Sequence, residues 1–145
     1  MGAVWAPDDE RRRQSRLTAL ARFEPEATAF AENYDYRALH SWSLERRERF
    51  WSRLWDFCGV LGDKGDTVLV DGGLMPGAKW FPQARLNFAE NLLRPRPPSA
   101  PAIVFAGERR VRLRLSYAEL CREVAALAAY FSSLGIAPGD RIGAY

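Results

Sequence analysis

One histidine (His40), two cysteines (Cys58 and Cys121) and two lysines (Lys64 and Lys79) are spread over 145 residues. A single histidine cannot supply a multi-histidine metal site, and beside Trp42 it fits a packed or surface imidazole better than a general base. The cysteines belong to no Cys-x-x-Cys pair and have no histidine at ligand spacing, so they are expected to be buried thiols in a reducing compartment. Long apolar runs are missing too, and none approaches the ~20 residues of a membrane span. The opening MGAVWAPDDE lacks the apolar stretch of a secretory signal. It places Ala6 where a myristoylation signal wants Ser or Thr, and Asp8, Asp9 and Glu10 make it too acidic for a transit peptide. A cytoplasmic protein without membrane association is the expectation.

The catalytic motifs that could make the chain an enzyme by itself are also absent. There is no glycine-rich phosphate loop, no Gly-x-Ser-x-Gly elbow and no His-Glu-x-x-His. What remains is a globular composition, 48% hydrophobic and 27% charged, with a net charge of +3 carried mostly by arginine. That suits one ordinary core, or a piece of a larger domain. Arg11, Arg12 and Arg13 form a basic run, and Arg110, Arg112 and Arg114 form a basic strand face. No aromatic nucleic-acid signature is interleaved with them, and Glu10, Glu108 and Glu119 dilute their field, so no nucleic-acid partner is expected.

The first third patterns as helix. Arg11 to Phe23 gives one helix with Leu17, Leu20 and Ala21 inward, and Pro25 can start another with Ala27, Phe30, Ala31 and Tyr34 on one face. Asp35 and Ser43 are cap candidates. Beyond them Phe50, Trp51, Leu54, Trp55 and Cys58 make an aromatic stripe that Gly59 terminates, and so dense an aromatic set implies core packing. Then the texture changes to a loop at Gly62–Asp66, a short strand at Thr67–Asp71 and a second loop through Gly72, Gly73, Pro76 and Gly77.

WFPQARLNFAENLL (Trp80 to Leu93) joins an aromatic plug to a short amphipathic helix. Leu86, Ala89 and Leu93 lie on its apolar face, flanked by Phe88 and Leu92, and Asn87, Glu90, Asn91 and Arg94 lie opposite. PRPPSAP, Pro95 to Pro101, predicts a stiff connector and a boundary. After it come a strand at Ala102–Ala106 and a return strand in which Val111, Leu113 and Leu115 alternate with the arginines. Ser116 with Glu119 is a capping box for a helix with Leu120, Val124, Leu127, Ala128, Phe131 and Leu134 on one face and Gly135 past its end. Arg141 to Tyr145 predicts the start of a further, parallel strand. The fold class expected is α/β, truncated inside a β-α-β unit.

The run MPGAKWFPQARLNFAENLL (Met75 to Leu93) resembles the N-terminal region of acetoacetyl-CoA synthetases, within the AMP-forming acyl-CoA synthetase family. The likeness takes in VWAPDDERRRQSRLTALARF, DYRALHSWSLERRERFWSRLWDFCGV and GDTVLVDG upstream, and downstream LSYAELCREVAALAAYFSSLGIAPGDRI, which many adenylate-forming enzymes share. It implies a helical extension at 1–34, an acetyl-CoA synthetase N-terminal-type domain at 35–94, a Pro-rich linker at 95–101 and the start of an AMP-binding domain at 102–145. It also implies an enzyme that uses ATP and Mg²⁺ to make an acyl-adenylate from acetoacetate and then passes the acyl group to coenzyme A.

The motifs for those steps in such enzymes would lie beyond Tyr145. The resemblance therefore places no catalytic, cofactor-binding or metal-binding residue in this chain, and Lys64 and Lys79 stand outside any such motif. It implies that Trp80, Phe81 and Pro82 anchor the extension onto the catalytic body as its intramolecular partner. Arg85 or Asn87 lining the coenzyme A or acyl entrance is its lesser variant. The other reading is a free-standing, non-catalytic binding or regulatory module derived from the same family.

Overall fold

Ser15 divides the first helical stretch in two. In a computed structural model that describes residues 5–108 and 112–144, its backbone is extended (φ −65°, ψ 145°) and its hydroxyl accepts from the Thr18 N–H. Asp8 caps the preceding turn in the same way. The single helix expected from Arg11 to Phe23 is thus α1 (Asp9–Gln14) and α2 (Arg16–Phe23). A side-chain acceptor inside the run satisfies the N–H groups of a new helix start better than continued helix would. Pro25 opens a 3₁₀ turn, Pro25–Ala27, which runs into α3 (Thr28–Asn33), and Tyr34 ends α3 in the left-handed region (φ 53°).

Asp35 caps α4 (Tyr36–Glu45) as expected, accepting from the Ala38 N–H at 3.0 Å. Ser43 does not cap anything. It lies inside α4 and its hydroxyl donates to the His40 carbonyl, because α4 runs on to Glu45 and only Arg46 (φ −109°, ψ 40°) separates it from α5 (Arg47–Cys58). Gly59 (φ 58°) ends α5 in the conformation that favours glycine.

The chain divides into two compact units, Met1–Asn87 and Phe88–Tyr145. The core of the first is built from three alanines, Ala21, Ala27 and Ala31, and Leu39, with Phe30 and Trp42 against them. Alanines let α2, α3 and α4 approach closely but bury little apolar area each. Beyond α5 the chain makes a long arm. Asp63 and Arg85 exchange two backbone hydrogen bonds (2.9 and 2.8 Å), and the Phe81 N–H donates to the Val68 carbonyl. The arm continues into β1 (Leu69–Val70) and β2 (Lys79–Trp80), antiparallel with Leu69 opposite Trp80. The ladder is shorter than the strand expected at Thr67–Asp71, since Asp71 (φ 55°) turns the chain away.

In the second unit α6 is Phe88–Leu92, so Leu86, expected on its apolar face, precedes it. The proline-rich segment 95–101 contains a turn. Ala100 closes a turn onto the Pro97 carbonyl, and the Pro98 and Ala100 carbonyls accept from Ala118 and Tyr117. β3 (Pro101–Ala106) pairs antiparallel with β4 (Arg112–Ser116), Ile103 opposite Leu115 and Phe105 opposite Leu113. Pro101 takes the first strand position, where its missing N–H removes little. Arg110 and Val111 of the expected return strand lie outside the described residues.

α7 (Tyr117–Ser133) starts with the expected reciprocal Ser116–Glu119 capping box. Its apolar face is present but open, with Val124, Leu127, Tyr130 and Leu134 exposed. Residues 141–144 form no strand. A strand exists only through a ladder, and β3 and β4 pair with each other.

Candidate functional site

Helix α5 organises the first unit because its side chains point two ways. Arg49, Arg53 and Phe57 recur at every fourth residue and share one face, whereas Trp51 and Trp55 share another. The first face meets the helical layer. Glu24 Oε1 accepts from Arg49 Nε and a terminal nitrogen at 3.0 and 2.7 Å, and Oε2 accepts from Arg53 Nε at 2.8 Å. Phe57 packs on Phe23 with ring centroids 5.7 Å apart, and the Arg16 guanidinium stands 4.7 Å from the Phe57 ring centre.

Glu24 is only 1% exposed and is the largest side chain that the described residues bury so fully. Burial pushes its carboxyl up, but the Arg49 hydrogen bond, the Glu26 N–H, the Arg49 charge and the Arg53 hydrogen bond together outweigh it and hold it below the usual carboxylate range. The Glu24 hydrogen bond raises Arg49 in return, against its own desolvation. Glu26 extends the network, pairing with Arg49 at 3.1 Å and accepting from the Trp42 indole N–H.

The second face holds the arm. Trp51 packs on Trp80 (centroids 5.7 Å) and Trp55 on Phe81 (5.2 Å). Arg47 donates to the Gly72 carbonyl, and Lys64 donates to Asp56 and Ser52 on α5. Near the arm's base the Gln83 side-chain oxygen accepts from the N–H groups of Asp66 and Thr67. The aromatic plug is thereby assigned a seat: Trp80 and Phe81 lie on α5, inside the first unit. Phe81 itself is in the left-handed region (φ 44°), a sparsely populated conformation for an aromatic residue, held between a strand and a turn.

The residues that the sequence singled out do not converge. His40 is exposed and stacks on Tyr36 at 6.1 Å. Cys58 and Cys121, expected buried, are both exposed: Cys58 is the last residue of α5, and α7, which carries Cys121, buries none of its residues. Lys64 serves the arm, Lys79 sits exposed in β2, and Arg85 is tied through its backbone to Asp63. A cavity of about 390 Å³ opens within the helical layer among Leu17, Ala21, Phe30, Ala31, Tyr34 and Leu39. Its buried hydroxyl, Thr18 Oγ1, is already bonded to the Arg12 carbonyl and to Ser15. Among the described residues no cluster of three or more His, Cys, Asp or Glu could hold a metal ion, and no helix is long and apolar enough to cross a membrane.

Sequence reasoning missed the Glu24–Arg49–Arg53 network. The signal was present only in part. Arg49 and Arg53 at i, i+4 do mark a cationic helix face, but nothing local pairs them with a glutamate 25 and 29 residues away.

Known proteins resemble this chain along nearly its whole length. Residues 36–92 match the family described as the acetyl-coenzyme A synthetase N-terminus. The chain is 41% identical over 143 residues to an acetoacetyl-coenzyme A synthetase of Rhizobium meliloti, a match that takes in 97% of this chain and 21% of that protein. A malonamoyl-CoA synthetase of Penicillium aethiopicum is 35% identical over 77% of the chain and 17% of its own length. The solved structure of acetoacetyl-CoA synthetase from Streptomyces lividans superposes with a TM-score of 0.80 at 36% identity, covering 98% of this chain and 22% of that one. The chain thus spans about a fifth of the length of the relatives it matches, and over that fifth it is similar to the N-terminal part of acetoacetyl-CoA synthetases.

Proposed function

We propose that this chain is the N-terminal part of an acetoacetate-CoA ligase, an enzyme that converts ATP, acetoacetate and coenzyme A to acetoacetyl-CoA, AMP and diphosphate in the cytoplasm. In this reading residues 1–145 supply no catalytic, cofactor-binding or metal-binding side chain. ATP, Mg²⁺ and coenzyme A are bound by the catalytic body, and the present segment packs on that body and supports it. The division follows as a helical extension at 1–34, the acetyl-CoA synthetase N-terminal-type domain at 35–94, the linker at 95–101 and the start of the AMP-binding domain at 102–145.

The observation that carries the proposal is the match running through 98% of the chain to a solved acetoacetyl-CoA synthetase. The side chains support it in kind: the buried Glu24 carboxylate is taken up by Arg49 and Arg53 and the aromatics by packing, which is how a scaffold differs from a site with poised acids and bases. Acyl selectivity belongs elsewhere in the enzyme on this view. A relative named for malonamoyl-CoA is nearly as similar to this chain as those named for acetoacetyl-CoA. The two acyl groups share a carbonyl at the third carbon and differ in methyl against amino.

The test is a graft. The matching N-terminal segment of the Streptomyces lividans enzyme is replaced by residues 1–145, and acetoacetyl-CoA formation is followed alongside acetoacetate-dependent ATP–diphosphate exchange by the isolated chain. An active graft with the host's acyl preference, and no exchange by the isolated chain, is the expected pair of results. A folded but inactive graft would count against the support role, and exchange by residues 1–145 would place catalytic groups inside them.

A further inference from the structure

We propose that the first unit is a hinged and latched assembly, in which the helical layer Arg16–Asn33 opens from α5 about Arg46 and Glu24 is the latch that holds it shut. Two observations define the hinge. Arg46 is the only residue between α4 and α5 and has non-helical torsions. The apolar core lies wholly on one side of it, in Ala21, Ala27, Ala31 and Leu39, while the arm's aromatic seat lies wholly on the other, in Trp51, Trp55, Trp80 and Phe81. α5 and the arm keep their own packing when the layer separates, whereas α2 and α3, short helices on a core of small area that Phe50 and Arg53 of α5 help to close, fray once parted from α5.

What joins the sides is a set of ion pairs and ring contacts, graded by distance from the hinge. The Trp42–Phe50 edge contact (6.3 Å) sits beside Arg46 and survives a rotation there. Arg49 lies about one turn along α5, Arg53 two and Phe57 three. Opening therefore breaks first the Glu24–Arg53 bond and the Phe23–Phe57, Arg53–Phe23 and Arg16–Phe57 contacts, and the amides of α2 and α3 lose their protection with them. Phe23 is itself exposed, so its ring contributes only part of the apolar area that it would if buried. Glu24, with both oxygens held by two guanidiniums, is the strongest single tie across the gap. Sub-global opening of this kind is expected where a compact element is held by few contacts of one type. Opening uncovers the Arg49, Arg53 and Phe57 face of α5. The inference rests on the packing and does not depend on the family assignment.

Hydrogen–deuterium exchange at neutral pH on the 145-residue chain tests it. In Glu24→Gln, amides of α2 and α3 should lose protection by about tenfold or more, the equivalent of one charge-assisted hydrogen bond, while α5 and the arm from Val68 to Phe81 keep theirs. Glu26→Gln, which removes a half-exposed charge outside the latch, should change much less. Should Glu24→Gln fail to fold, Arg53→Gln carries the test with the same selective pattern at smaller amplitude. Equal loss of protection from Arg16 through Phe81 would show one cooperative body and overturn the hinge. No selective loss, or a Glu26→Gln effect as large as that of Glu24→Gln, would overturn the latch.

Discussion

The indole rings of Trp51 and Trp80 stand 5.7 Å apart at 57°, the tilted geometry that aromatic pairs favour. Trp80 comes from an arm closed at its base by Asp63 and Arg85, so this pair and Trp55–Phe81 beside it fix the arm to α5. Because Trp80 remains 39% exposed, Trp80→Ala should cost about 1 to 3 kcal/mol, less than the truncation of a fully buried indole. Urea unfolding of the single mutants and of the Trp51→Ala, Trp80→Ala double mutant measures it. The double mutant should lose less than the sum of the singles, since both remove the same contact.

Acid should weaken the first unit through Glu24. Its folded-state value lies below that of an ordinary glutamate, so the unfolded chain binds the proton more readily. The stabilisation is fully present above the unfolded value of about 4.3 and is lost as pH falls through the folded value. Melting temperatures recorded from pH 7 down to pH 3 should fall steeply below pH 4.5 or thereabouts in the wild type. Glu24→Gln should start lower at pH 7 and show a shallower acid limb. An unchanged acid limb in that variant would assign the pH dependence to other carboxylates.

Local chemistry was the legible layer. The Asp35 cap, the Gly59 terminus and the Ser116–Glu119 box depend on residues within a few positions of one another and form as expected, and the β3–β4 hairpin pairs two segments that are neighbours along the chain. Ser15 defeated the periodicity of the first helix because a single hydroxyl acting on the Thr18 N–H outweighs a weak apolar pattern. Long-range pairing was not legible. Glu24 is an ordinary charged residue before a proline until Arg49 and Arg53 are brought to it, and Trp80 gives no sign in sequence that its partner is Trp51. Exposure was misjudged for the same reason: Cys58 and Cys121 have buried-type chemistry, yet where each thiol ends up depends on what packs over its helix face.

The capping box offers a prediction for the second unit. Ser116 Oγ accepts from the Glu119 N–H while the Glu119 carboxylate accepts from the Ser116 N–H and hydroxyl. The Ser116 backbone bond, followed by its hydroxyl, holds Glu119 below its usual range. Ser116→Ala removes the oxygen that serves the first turn of α7 and should lower helix stability by about 0.5 to 2 kcal/mol. Amide exchange should rise first at Ala118 to Leu120 and fade along α7. Uniform loss along the whole helix would mean that its stability is set elsewhere.

Two arm glycines separate backbone need from mere presence. Gly62 has φ +148°, and a Cβ there would stand 2.7 Å from the Arg85 carbonyl oxygen and from the Leu86 Cβ. That carbonyl accepts from the Asp63 N–H, one of the two bonds that close the arm's base. Gly62→Ala must therefore strain its own torsions and push Arg85 away, and backbone atoms cannot step aside as a side-chain tip can. Gly73, in the turn beyond β1, would place a Cβ in open space and has no positive φ of that kind. Gly73→Ala should be neutral or stabilise by about 0.4 to 1 kcal/mol through a less flexible unfolded chain. Gly62→Ala should destabilise by more than that, about 1 to 3 kcal/mol, with faster exchange at the Asp63 and Arg85 amides. Equal melting temperatures for the two variants would show that the base of the arm accommodates a side chain at Gly62, and that the Asp63–Arg85 bonds do not set the arm's stability.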